Sequence, residues 1–191
     1  MAQNSANGRN FLKKILSLFL LACALYGEAK IYVGTGVGLL SEKFDDANYK
    51  SKTYNHAKFK VGYGDINAYA VEFSFDYTQK DAKSNIYNET DTYGLSIELL
   101  KAFNLDIFAN PYLKAGYGFG YCQTKGAQSQ TLRHGHFTLG TGVFIPLNEH
   151  LDLQLGYEYK NISYERYDQT TTDTKIKSHA NVGYAGINVR F

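Results

Sequence analysis

The chain ends as a strand. In Gly183-Tyr184-Ala185-Gly186-Ile187-Asn188-Val189-Arg190-Phe191 the residues Ala185, Ile187, Val189 and Phe191 are apolar, while Gly186, Asn188 and Arg190 between them are small or polar. Successive side chains on an extended backbone point to opposite faces, so this segment has one apolar face and one polar face. A soluble domain rarely needs its last residue to complete a strand. A strand closing a barrel inside lipid does, because no unpaired backbone edge is tolerated there.

The other end reads as a leader. Arg9, Lys13 and Lys14 precede an apolar run, Ile15-Leu16-Ser17-Leu18-Phe19-Leu20-Leu21-Ala22-Cys23-Ala24-Leu25, and Gly27-Glu28-Ala29 follows it. Basic start, short apolar stretch and small residues before a cut are the three parts of a secretory signal peptide, and the run is too short to span a bilayer. Residues 1–29 are therefore expected to be a cleavable signal peptide and 30–191 the mature domain. Leu20-Leu21-Ala22-Cys23 also resembles a lipobox, which would instead make Cys23 the lipidated first residue.

Cleavage after Ala29 removes Arg9, Lys13, Lys14 and Glu28. Lys+Arg then drops from 20 to 17 and Asp+Glu from 18 to 17, leaving 162 residues of zero formal charge. That balance gives no electrostatic case for binding nucleic acid. Cys122 becomes the sole cysteine, so no internal disulfide can form. No long apolar stretch follows the leader. A barrel strand needs only about ten residues with one apolar face, so a polar overall composition is compatible with membrane insertion.

Eight alternating segments are expected as strands: 31–40, 56–64, 68–78, 92–100, 111–123, 134–145, 151–160 and 178–191. In the third, Tyr69, Val71, Phe73, Phe75 and Tyr77 share one face and Glu72, Ser74 and Asp76 the other. In the fifth, Leu113, Ala115, Tyr117, Phe119 and Tyr121 oppose Lys114, Gly116, Gly118 and Gly120. The pattern repeats along the chain, with bulky residues on one parity and charges and most glycines on the other. It predicts an all-β fold, an eight-stranded antiparallel up-and-down transmembrane barrel, bulky face to lipid. Eight strands leave an interior just wide enough to be filled by side chains. Lys58, Lys60, Lys114, Lys160 and Arg190 are placed to meet Glu72, Asp76, Glu98, Asp152 and Glu158 there as an ion-pair network, since unpaired charges would be costly. A salt-bridged plug is expected rather than a water-filled pore.

Long polar connections are expected at 41–54, 79–91, 124–133 and 161–177, short turns at 65–67 and 146–150. Segment 101–110 is intermediate and carries Phe103, Leu105, Ile107 and Phe108, so it reads as a turn with an apolar anchor or as an extension of its strands. Long loops lie outside the cell and short turns on the periplasmic side in such barrels. Tyr49, Tyr54, Tyr87, Tyr164 and Tyr167 stand among small polar residues in the long connections, a composition suited to adaptable protein contacts.

Ile31-Tyr32-Val33-Gly34-Thr35-Gly36-Val37-Gly38, Pro111-Tyr112-Leu113-Lys114-Ala115-Gly116-Tyr117-Gly118-Phe119-Gly120, Leu153-Gln154-Leu155-Gly156-Tyr157-Glu158-Tyr159 and the last strand resemble the OmpA/OmpX-like, opacity-type family of small outer-membrane barrels. The terminal Ala185, Ile187, Val189 and Phe191 resemble the membrane-insertion signal read by the barrel-assembly machinery. The resemblance implies an integral protein of a Gram-negative outer membrane, with extracellular loops and periplasmic termini. Implied partners are membrane lipid and lipopolysaccharide, that machinery, and a host or extracellular protein at the loops. An envelope-structural or adhesin-like role is expected, with no appended domain after Phe191. The rival roles are a lipid A-modifying enzyme and a narrow channel. For catalysis, His136 has only Thr138 on its own face and Glu158 on the next strand, and His134 with His136 makes half a metal site. No catalysis, metal or cofactor is expected.

Overall fold

The computed structural model describes residues 29–45, 51–65, 67–80, 89–124, 131–165 and 177–191. Of the expected leader, residues 1–29 with Cys23, only Ala29 is among them. Eight strands form a closed barrel in sequence order: β1 (Lys30–Phe44), β2 (Lys52–Gly64), β3 (Tyr69–Gln79), β4 (Glu89–Ala102), β5 (Asn110–Thr124), β6 (Thr131–Pro146), β7 (Leu151–Tyr164) and β8 (Lys177–Arg190). All eight pairings are antiparallel, and β1 closes on β8 from Tyr32 opposite Arg190 to Phe44 opposite Ser178. Closure leaves no edge, as lipid requires. One end carries both ends of the barrel and the turns at 65–68, 103–109 and 147–150; we call it the terminal end. The other four connections leave the loop end.

The bulky parity faces outward. Phe73 is 61 % exposed, and Val37, Leu95, Ile97, Tyr117, Phe119, Leu139 and Ile187 are exposed with it. Lys58, Lys60, Glu72, Glu98, Lys114 and Glu158 are buried on the other parity. A ladder of stacked and tilted rings, Tyr77–Tyr93–Tyr121, crosses β3 to β5 near the loop end, with centroids 5.3 and 5.4 Å apart. There the Tyr77 hydroxyl donates to Asp91 at 2.8 Å. Such rings, apolar in body and polar at the tip, belong at the headgroup level.

Strands run further toward the loop end than the alternation predicts. β1 continues to Phe44, β2 begins at Lys52, β6 begins at Thr131 and β7 continues to Tyr164. The expectation that Tyr54 and Tyr164 are loop contacts is corrected accordingly. Both lie on strands with side chains turned into the lumen, 8 % and 4 % exposed. Their positions share parity with the inward Lys58 and Lys160, and the pleat carries them inside. Tyr49, Tyr87 and Tyr167 lie outside the described residues. In segment 101–110 the strands take Lys101, Ala102 and Asn110, leaving a turn of 103–109.

Inward glycines make room for large neighbours. A Cβ on Gly62 would overlap the Tyr32 ring, and one on Gly156 would overlap Tyr184 and Tyr112, whereas one on the outward Gly183 would meet nothing within 4 Å. Gly156→Val should lower unfolding free energy by about 1–3 kcal/mol through overpacking. Gly183→Val should be neutral or stabilising, because glycine inside a strand packs nothing. Urea midpoints of the two variants check this pair; equal losses would refute the inward–outward assignment.

Candidate functional site

Alternation on eight strands points their inward side chains at one axis, and these stack in three levels. The middle level is charged. Lys114 Nζ lies 2.5 Å from Glu158, 3.1 Å from Glu98 and 3.8 Å from Glu72. Lys58 lies 2.6 Å from Glu158, 3.5 Å from Glu98 and 3.6 Å from Asp76. Lys60 bonds Glu72 and the Gln154 side-chain oxygen, both at 2.6 Å. Lys160 bonds Asp76 at 2.9 Å and lies 3.6 Å from Glu158. Four cations thus face four carboxylates, so the level is balanced. Tyr32 and Ser74 donate to Glu72 and Glu98, and the Lys58 and Lys114 ammonium groups also lie over the Tyr184 ring. Charges taken out of water need such dense pairing, because desolvation otherwise outweighs attraction.

The terminal-end level is mostly apolar: Tyr32, Ala70, Leu100, Ala102, Tyr112 and Phe144 form one buried cluster. The Tyr112 hydroxyl lies 2.9 Å from that of Tyr184 and accepts from Gln154 at 2.8 Å. Arg190 and Asp152 pair in two contacts of 2.9 Å at this end, and the guanidinium also donates to the Asn148 carbonyl. The sequence reading grouped this pair with the other eight charges; the barrel holds it as a separate bridge below the apolar cluster.

The loop-end level holds Leu40, Phe44, Tyr54, Cys122, Leu132, Ile162, Tyr164, Ala180, Val182 and Tyr184 in a second cluster. A buried carboxylate, Glu42, sits in it and accepts from Lys80 at 2.8 Å, Tyr164 at 2.7 Å and Ser178 at 2.6 Å. Sequence reasoning missed the Glu42–Lys80 pair by assigning both residues to loops. The signal was available: Glu42 continues the parity of Gly34, Gly36 and Gly38, and Lys80 that of Glu72 and Asp76.

Between the loop-end and charged levels is a cavity of about 30 Å³ lined by His56, Asp76, His134, His136, Lys160 and Tyr164 among others. That is space for one or two water molecules. His136 lines it, and behind that wall its Nε2 lies 2.9 Å from Ser96 Oγ, a pairing across the intervening β5 that alternation alone does not predict. Gly118 permits it, since a Cβ there would overlap both groups. Both partners are buried, and no carboxylate bonds the other ring nitrogen of His136 among the contacts of the described residues. The rings of His134 and His136 are 5.8 Å apart.

On the outside, Ala185, Ile187, Val189 and Phe191 run down the outward face of β8 to the terminal end, with Ile187, Val189 and Phe191 exposed. At the loop end the outward face turns polar. Tyr157 donates to Asn181 at 2.5 Å, and His179 lies 2.7 Å from the Tyr159 hydroxyl and 3.0 Å from Asp45. A closed eight-stranded barrel with a filled lumen and an apolar belt is the geometry of a small membrane barrel.

Residues 15–191 match the family model of the outer membrane protein beta-barrel domain. The chain belongs to that family. It is an outer-membrane β-barrel protein, integral to that membrane and in contact with its lipid. Among solved structures it is similar to Neisserial surface protein A, at 16 % identity and a TM-score of 0.68, covering 86 % of this chain and 100 % of that one. It is similar also to Ail, the attachment invasion locus protein of Yersinia pestis, at 18 % identity and a TM-score of 0.58, again covering 86 % and 100 %. Outer membrane protein AlkL matches at 13 % identity and a TM-score of 0.54, over 87 % of this chain and 92 % of that one. No curated relative matches this sequence.

Proposed function

We propose that this protein is a non-enzymatic component of the bacterial surface that works through the four connections at its loop end. These are read as extracellular, the termini as periplasmic, and residues 1–29 as the cleaved leader. The supporting observation is the filled lumen, with charges paired between two apolar clusters around a cavity of about 30 Å³. That leaves the exterior as the working surface. The polar rim at Asp45, Tyr159, His179 and Asn181 supports a loop end facing outer-leaflet sugar and phosphate, and so lipopolysaccharide as a neighbour. Ala185, Ile187, Val189 and Phe191 serve as the insertion signal for the barrel-assembly machinery in this reading. Against a lipid A enzyme weighs the burial of both Ser96 and His136, which keeps this pair from an outer-leaflet substrate. A role in envelope integrity is the second reading, favoured by the density of lumen ion pairs.

The test is a barrel with 46–50, 81–88, 125–130 and 166–176 replaced by short turns, expressed in a deletion strain. An epitope placed in 81–88 of the full chain should be stained on intact cells. Adhesion to extracellular proteins and to a sulfated saccharide is then compared, the latter because Ail has been solved with the heparin analogue sucrose octasulfate. The trimmed barrel should keep its electrophoretic heat shift and lose binding. A trimmed barrel that restores every phenotype would favour the envelope role. Protein-dependent change in lipid A mass, or conductance in planar bilayers, would overturn the reading.

A further inference from the structure

The three turns at the terminal end differ in kind. Among their described residues, those at 65–68 and 147–150 present Asp65 and Asn67, and Asn148, Glu149 and His150, with one large apolar side chain, Leu147, exposed among them. The turn at 103–109 presents Phe103, Leu105, Ile107 and Phe108, which are 40, 56, 56 and 80 % exposed. Water at these four side chains would be unfavourable, and an exposed apolar patch marks a contact surface.

The turn is built rather than loose. Its root is fixed by Phe103 N donating to the Pro111 carbonyl at 2.8 Å and by Asn110 donating to the Asn67 side chain at 2.6 Å. At its tip Asn104 Oδ1 accepts from Asp106 N at 3.0 Å, and Asp106 adopts a left-handed φ of 55°. Asp tolerates that region better than most residues, so Asp106 can reverse the chain without a glycine. The reversal leaves Leu105, Ile107 and Phe108 all outside.

The occupant is argued from what the root adjoins. Leu99, Lys101 and Phe103 continue one outward parity, and Lys101 pairs with Tyr69 on β3 and Leu113 on β5. Leu99 and Leu113 belong to the lipid belt. The Lys101 ammonium sits 4.0 Å from the Tyr69 ring centre and 5.7 Å from that of Phe103. Aromatic and cationic side chains together mark the headgroup level of a bilayer. Four side chains, with Leu147 the one exposed large apolar residue described on the other two turns, are also too small a patch for a stable protein interface, which needs about 800 Å² per partner.

We infer that the 103–109 turn is a lipid-binding wedge: Leu105, Ile107 and Phe108 insert among phospholipid acyl chains of the leaflet at the terminal end, with Lys101 at the phosphate level. The inference rests on the barrel spanning the membrane and takes from the proposed orientation only the leaflet's name, the periplasmic one. A single side of the barrel is thereby anchored, which fixes its depth there.

The chain contains no tryptophan, so one introduced residue reports alone. Phe108→Trp and, as belt control, Phe73→Trp are refolded into phosphatidylcholine vesicles, with and without bromine on the acyl chains, and each is checked for the heat shift. Both should show blue-shifted emission quenched by the brominated chains and protected from acrylamide. Phe108→Trp emission that is red-shifted and quenched by acrylamide, with the control quenched by bromine, overturns the wedge and leaves the barrel intact. Blue-shifted emission without bromine quenching, varying with protein density in the vesicle, overturns it in favour of a protein contact. Loss of quenching at both sites would instead strike at the membrane barrel itself.

Discussion

Lys114→Met should unfold at a much lower urea concentration than the native chain, with a loss of about 3–5 kcal/mol, the cost of leaving a buried charge unpaired. Lys114 is buried and holds three carboxylates, Glu158, Glu98 and Glu72. Methionine matches its length, so packing changes little and the charge deficit dominates. The level would then hold three lysines against four carboxylates. Adding Glu98→Gln restores three against three, and the Gln can still accept from Ser74 as Glu98 does now. The double variant should recover most of the loss, a coupling expected only of residues in one network. The measurement is the midpoint of heat-shift loss across a urea series in matched vesicles. A single-variant loss under about 1 kcal/mol would be the value of a solvent-screened pair. It would mean water reaches Lys114, and the channel reading would displace the plug.

Most of the membrane-embedded part was legible because one rule governs it: lipid outside, packed charge inside, period two. The rule fails at the loop end for a physical reason. Above the membrane the outside is water, and the faces exchange character. On β1 Lys43 points out and Phe44 in; on β6 Arg133 points out and Leu132 in; on β7 Ser163 points out and Tyr164 in. A reader following bulky-equals-outward loses the strand where the polarity inverts and assigns loop, which is how Tyr54, Tyr164 and Glu42 are misplaced; Lys80, one residue past β3, keeps the inward parity of that strand. The buried Tyr32, Leu100, Tyr112 and Phe144 at the terminal end show the same mixing of apolar residues onto the inner parity. The particular pairing of Ser96 with His136, on strands that are not neighbours, was beyond reach for another reason. Alternation says which face Ser96 and His136 share, but their meeting depends on barrel curvature and on Gly118 between them. The closed order of strands made Lys114 and Glu158, from β5 and β7, plausible partners; the split of Asp152 and Arg190 from that group depends on height along the axis.

Phe73→Arg should cost about 2–4 kcal/mol, while Tyr77→Arg should cost about 1 kcal/mol or less, because the penalty for a cation on the lipid face depends on depth. Phe73 is the middle of the five outward apolar or aromatic residues on β3, which run from Tyr69 to Tyr77 before the outward Gln79, and its neighbours Val61 on β2 and Ile97 on β4 are outward and apolar. No polar group on that face can receive a guanidinium, and the side chain must stretch toward a headgroup at either end. From Tyr77 the reach is short, since Asp91 already marks the polar level beside it. Both substitutions place the same charge on the same strand, so chain propensity and net charge cancel in the comparison, and only depth remains. The measurement is unfolding free energy in vesicles of one lipid. In a water-surrounded barrel both variants would be near neutral, and equal small losses would remove the bilayer from this face. A graded loss that peaks at Phe73 would instead locate the midplane, and the distance from it to Lys101 would set how deep the 103–109 turn can lie.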